Sequence, residues 1–127
     1  MPVIQATLDM PPSINHYYRI VQGGKRNGGH VHLALSPEGT AYRYSVWAQL
    51  WGQGHEIPLS IPLALTLRFY FVDNRSDLDN RLKACVDALA VALGFNDRRI
   101  WSLHAYRAID KTNPRVEVEL NWGIGAI

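Results

Sequence analysis

Residues 59–93 read LSIPLALTLRFYFVDNRSDLDNRLKACVDALAVAL. In the first part Leu63, Leu65, Leu67, Phe69 and Phe71 alternate with Ala64, Thr66, Arg68 and Tyr70, the period-two pattern of a strand with one buried face. The expected strand runs from Leu59 to Val72, with its beginning weakened by Pro62, which has no amide to give to a ladder. After the polar turn Asp73-Asn74-Arg75-Ser76 the period changes. Leu78, Leu82, Cys85, Val86, Leu89 and Leu93 fall on one stripe of a helix from about Leu78 to Leu93, and Gly94 supplies the usual C-terminal stop.

Working outward, Ile100 to Ile109 reads as the next strand, and Asp110 to Pro114 as a turn. Val116, Val118 and Leu120 then alternate with Glu117 and Glu119 in a last strand. Upstream, Val3 to Leu8 is a short strand ended by Met10-Pro11-Pro12-Ser13, and Asn15 to Arg19 is a loop or a second extended segment. Gln22 to Gly29 is half glycine and reads equally as a mobile hairpin loop or as a flexible loop that contacts nucleic acid through Lys25 and Arg26. His30 to Leu35 resumes a strand with His30 and His32 on one face, where solvated histidines are a better account than a two-histidine metal site. Ser36 and Pro37 form a helix start, a capping hydroxyl followed by a residue whose missing N–H costs nothing there. That helix should run to about Gly52, with Tyr44, Val46, Trp47, Leu50 and Trp51 on a partly apolar face. The expected architecture is one α+β domain over residues 1–127, a mixed sheet with two main helices packed against it, and a disordered tail over 122–127.

Composition agrees with a single soluble domain: 127 residues, 47% hydrophobic and 19% charged. Cys85 is the only cysteine, which excludes an intramolecular disulfide and a Cys-cluster zinc site. No apolar run approaches the ~18 residues of a membrane span, and MPVIQATLDM has no basic-then-apolar leader, so a cytoplasmic protein without a membrane partner is expected. The net charge of +2 (13 − 11) permits a polyanion partner only if the cations gather on one face.

The segment with the most chemistry is Asp77-Leu78-Asp79-Asn80-Arg81-Leu82-Lys83, with Asp87 and Asp97 downstream. Two readings stand side by side. In the first, Asp77 is a helix N-cap, Asp79 suits the helix dipole, and Asp79–Lys83 is a helical ion pair four residues apart. In the second, the carboxylates converge on magnesium, which takes hard oxygen ligands and leaves positions for a phosphate oxygen and a water. Lys83 then adds fixed positive charge where negative charge develops, and Arg75, Arg81, Arg98 and Arg99 hold the nucleic-acid backbone. Asp97 can join the helix start only if the strands return it there.

The run Asp77-Leu78-Asp79-Asn80, then Lys83, Asp87-Ala88-Leu89, Gly94-Phe95 and Asp97 to Ile100, resembles the signature of the RusA family of Holliday-junction resolvases. Pro11 to Arg19 resembles that family's proline-rich opening, and Ser36-Pro37-Glu38-Gly39 with Tyr42-Arg43 matches a third block. The blocks occur in family order over most of the chain. The resemblance implies a homodimeric, Mg²⁺-dependent endonuclease, with Mn²⁺ as a substitute, that cuts four-way junction DNA by paired nicks in recombination and repair. Asp77, Asp79 and Asp97 match the metal-binding aspartates, Lys83 the catalytic lysine, and Asp87 a position expected to be structural. The family often has paired acids where this chain has Asn96-Asp97. Two copies of one site suit the two-fold symmetry of a four-way junction, and Trp47, Trp51, Trp101 and Trp122 are candidate interface anchors, with at least half of them expected in the core. The alternative is a non-catalytic module binding branched or single-stranded DNA, its acids serving as caps and ion pairs.

Overall fold

A computed structural model describes residues 3–23, 29, 31–54 and 56–123. In chain order the elements are β1 (Val3–Leu8), α1 (Ile14–Tyr17), β2 (Tyr18–Gln22), β3 (Val31–Leu35), α2 (Pro37–Gln49), β4 (Leu63–Phe71), α3 (Asp79–Leu93), β5 (Ile100–Ile109) and β6 (Arg115–Trp122), with a 3₁₀ turn, Asp97–Arg99, leading into β5. The main sheet has the order β1-β6-β4-β5. β6 pairs antiparallel with β1 and β4, and β4 pairs parallel with β5, so the sheet is mixed. β2 and β3 form a separate antiparallel hairpin. The expected α+β class with two main helices is what folds.

The alternation in β4 has its predicted consequence: Leu63, Leu65, Leu67 and Phe69 are wholly buried. Val116, Val118, Leu120 and Trp122 of β6 and Ile4 and Leu8 of β1 complete that face, against which α2 and α3 pack. From α3 come Cys85, Leu89 and Leu93, as the stripe predicts, and also Ala84, Ala88 and Ala90, small residues that let a helix lie close to its neighbours. Burial pushes the Cys85 thiol up to about 12, so it is a core side chain and not a nucleophile.

α2 begins as its sequence demands. Ser36 Oγ accepts from Gly39 N–H at 2.9 Å and donates to the carbonyl of Tyr17 at 2.9 Å, joining the helix start to α1. A Cβ on Gly39 would collide with that same carbonyl, so the contact requires glycine. Four expectations are corrected. Residues 14–17 form a helical turn, where a loop or strand was expected, because Ser13 C=O accepts from both His16 and Tyr17 N–H. α2 ends at Gln49, ahead of Gly52, and its buried face is Gly39, Tyr42, Val46 and Leu50, leaving Tyr44, Trp47 and Trp51 exposed. Only Trp122 of the four tryptophans is buried, since Trp101 lies on the edge strand β5. Trp122 is also the last residue of β6, paired with Leu63, so it belongs to the sheet and not to a tail. Residues 124–127, Lys25, Arg26 and His30 lie outside the described residues. No helix of the described residues is long and apolar enough to cross a membrane.

Candidate active site

The chain has seven aspartates, and their surroundings divide them. Asp9 accepts from Ser45 Oγ at 2.7 Å, Asp73 from Arg75 N–H at 3.0 Å, and Asp110 from Arg115 Nη1 at 2.8 Å. Asp87 accepts from Arg43 Nη2 at 2.6 Å. Asp77, Asp79 and Asp97 are all exposed, and none makes a side-chain hydrogen bond or ion pair among the described residues. The three carboxylates that the sequence nominates for metal are therefore the three aspartates without a side-chain partner among the described residues.

Local geometry explains this. The residue at the N-cap of α3 is Leu78, in helical conformation and with no capping side chain, so Asp77 does not cap. Asp79 is the first helical residue, and no ion pair joins it to Lys83, which is exposed. At the other end, Asn96 caps the 3₁₀ turn by accepting from Arg98 N–H at 2.9 Å, which leaves the Asp97 carboxylate unused. The account of these acids as caps and salt bridges is thus not what the fold does with them.

The structure also separates them. Asp77 and Asp79 follow the C-terminal end of β4, while Asp97 precedes the N-terminal end of β5. Because β4 and β5 are parallel, with Leu63 beside Ile100 and Phe71 beside Ile109, the two loops lie at opposite ends of the strands. The intervening helix is 15 residues long, about 22 Å at 1.5 Å per residue. Among the described residues no three His, Cys, Asp or Glu side chains are grouped to hold a metal. The donors are hard carboxylate oxygens, the type magnesium takes. One chain offers two of them at the start of α3 and the third a helix length away.

The cations differ as sharply. Arg81 donates to the Pro11 carbonyl at 2.7 Å and to Ser76 Oγ at 3.2 Å, bracing the loop that carries Asp77, and burial lowers its pKa. Arg99 donates to the carbonyls of Pro58 and Ile61, tying the approach to β4 to the start of β5. Arg75 and Arg98 are exposed, Arg75 beside Asp77 in sequence and only 3.6 Å from the Asp73 carboxylate, Arg98 next to Asp97. Arg98 and Trp101 line a cleft of about 350 Å³ at the Asp97 end. His32 is exposed on β3.

One cluster has no local signal in the sequence. The buried Tyr17 donates its hydroxyl to Asp87 Oδ2, and Arg43 Nε reaches both Tyr17 Oη and Asp87 Oδ2 at 3.0 Å. Burial, then the bond to Asp87, raises the Tyr17 pKa, so the phenol stays a donor. The expected structural role of Asp87 is realised here: it ties α1 and α2 to α3.

Comparison with known proteins bears on the same residues. The chain matches the profile of the family described as "Endodeoxyribonuclease RusA" over residues 9–121. It is 39% identical over 93 residues to a crossover junction endodeoxyribonuclease rusA of Enterobacteria phage 82, covering 72% of this chain and 71% of that one. It is 38% identical over 93 residues, with the same coverage, to proteins called crossover junction endodeoxyribonuclease RusA from Shigella sonnei strain Ss046 and Escherichia coli strain K12. A match that takes in both ends of α3 and the strands β4, β5 and β6 places this chain in the RusA endodeoxyribonuclease family.

Proposed function

We propose that this chain is a divalent-metal-dependent endonuclease that resolves four-way DNA junctions, acting as a homodimer. The observation that carries the reading is the division of the aspartates: Asp77, Asp79 and Asp97 are exposed and have no side-chain partner among the described residues, whereas the other four have partners. Exposed carboxylates without a structural task, in a family whose members are named for junction cleavage, fit a metal-binding role. Magnesium, or manganese in its place, bound there supplies Lewis acidity at the scissile phosphate. Lys83, one helical turn from Asp79, places a positive charge where the phosphate gains negative charge. Arg75 and Arg98 bind the backbone beside the two acid groups, with Lys25 and Arg26 as further contacts, and Arg81 and Arg99 hold the loops that present them. Backbone contacts of this kind make binding salt-sensitive.

The separation of the acids gives the dimer a chemical purpose. Among the described residues β5 is an edge strand with no neighbour on its outer side, and Trp101, Leu103, Tyr106 and Ile109 on it are exposed. Two copies pairing their β5 edges antiparallel about a two-fold axis bring the start of one β5 beside the end of the other. Asp97 of the partner subunit then approaches Asp77 and Asp79, and two such sites form per dimer. The unpaired N–H and C=O groups along the β5 edge find partners in the same step.

The direct test is an end-labelled synthetic four-way junction incubated with and without Mg²⁺, beside a linear duplex of the same sequence. Symmetric, paired, metal-dependent nicks in the junction alone are expected. Binding without cleavage in Mg²⁺ and in Mn²⁺ would leave a DNA-binding module as the better account. The shared site has its own test. Asp79→Asn and Asp97→Asn are each inactive alone, but mixing the two proteins creates heterodimers with one intact site, so single nicks reappear. No recovery on mixing, with subunit exchange verified, means that each site lies within one chain.

A further inference from the structure

Asp79, Lys83 and Asp87 stand four residues apart in one row on α3, so the Lys83 side chain sits between two carboxylates and can reach either. Among the described residues it pairs with neither. Asp87 is already taken. Its Oδ2 receives the Tyr17 hydroxyl and, from Arg43, Nε at 3.0 Å and Nη2 at 2.6 Å. A planar guanidinium holding an oxygen with two donors in a partly buried site outcompetes a single flexible ammonium. Both side chains of the pair are mostly covered, at 34% and 22% exposure, so solvent screens them less than it would a surface pair.

We propose that Arg43, assisted by Tyr17, is a positioning residue for the cleavage reaction: it occupies Asp87 so that Lys83 is left to act at the Asp79 end of α3. The proposal rests on the reading of Lys83 as the cation that assists phosphate cleavage. Without Arg43, the Asp87 carboxylate becomes the nearest fixed anion toward the C-terminal half of the helix, and it draws the ammonium one turn away from the reacting phosphate. Arg43 touches neither the phosphate nor the metal carboxylates. Its effect passes through Asp87 to Lys83.

The test is Arg43→Gln, alone and combined with Asp87→Asn. Arg43→Gln is expected to slow single-turnover junction cleavage about tenfold at unchanged junction Kd, because a charge that acts in the transition state is misplaced. Adding Asp87→Asn removes the competing anion, and the rate returns to within about threefold of wild type. A brace that merely joins α1, α2 and α3 predicts the reverse, a double variant as slow as Arg43→Gln or slower, and that result overturns the proposal. A second readout needs no turnover. The Lys83 Nζ titration followed by NMR moves upward in Arg43→Gln, as an ammonium gains a carboxylate partner, and returns in the double variant. A Lys83 titration that does not move overturns the proposal whatever the rates do. Should Arg43→Gln fail to fold, Arg43→Lys, which keeps the charge and loses the fork, is titrated in its place, and an intermediate upward shift is expected. If Lys83→Ala cleaves at the wild-type rate, the catalytic reading of Lys83 falls, while the NMR titration still decides whether Arg43 keeps Asp87 from it.

Discussion

Asp79 and Asp87 lie two turns apart on the same row of α3, yet one is exposed with no partner among the described residues and the other accepts three hydrogen bonds from two elements. Residue type and helix row are the same and only the place along the helix differs, so what packs beside each decides its fate. The middle of α3 faces α1 and α2, where Tyr17 and Arg43 wait, whereas the Asp79 side chain at its start faces solvent. A carboxylate with partners contributes to holding the fold, and one without them is available for a ligand.

That contrast can be broken by substitution. The largest effect belongs to Asp79→Asn, which should reduce junction cleavage at least about a hundredfold while leaving junction affinity and the melting temperature unchanged. Unaltered cleavage would remove Asp79 from the site. Asp87→Ala should do the opposite in kind. It strands the Tyr17 hydroxyl and the Arg43 guanidinium and should cost about 1–2 kcal/mol of stability, discounted because both partners retain some water, read as a lower denaturation midpoint. An unchanged midpoint would mean that the cluster holds nothing together. The smallest effect belongs to a half-buried carboxylate outside α3. Asp110, in the turn before β6, has its pKa lowered by Arg115 and then by Thr112. A carboxylate held below its ordinary value contributes stability that is complete above that value and is lost as pH falls through the native one. Thermal melts should show Asp110→Asn slightly less stable than wild type near neutral pH, with the difference closing in acid. A gap that stays constant to low pH would rule out the charged form as its source.

Much of this was legible in the sequence, for reasons that can be named. The alternation of Leu63 to Phe71 and the stripe from Leu78 to Leu93 are local patterns, and the elements formed where the periods changed. The acidic segment at Asp77 and Asp79 was visible because it precedes an apolar stripe. The distance to Asp97 was not read, although a strand, a 15-residue helix and a parallel strand put the two loops at opposite ends of a sheet. Tyr17, Arg43 and Asp87 could not be associated, because the pairs lie 26, 44 and 70 residues apart and meet only when three elements pack. Charge alone also grouped Arg81 and Arg99 with Arg75 and Arg98, and only the fold shows that the first two are turned onto backbone carbonyls.

The parallel crossover that parts Asp97 from Asp79 has a consequence for dosage. In the proposed dimer a solitary chain carries no complete set of carboxylates, so a freshly made or dilute copy is harmless to the chromosome around it. Below the dissociation constant of the pair, the number of working sites rises with the square of the protein present. A modest change in expression then acts as a steep switch on strand breakage, with no inhibitor needed.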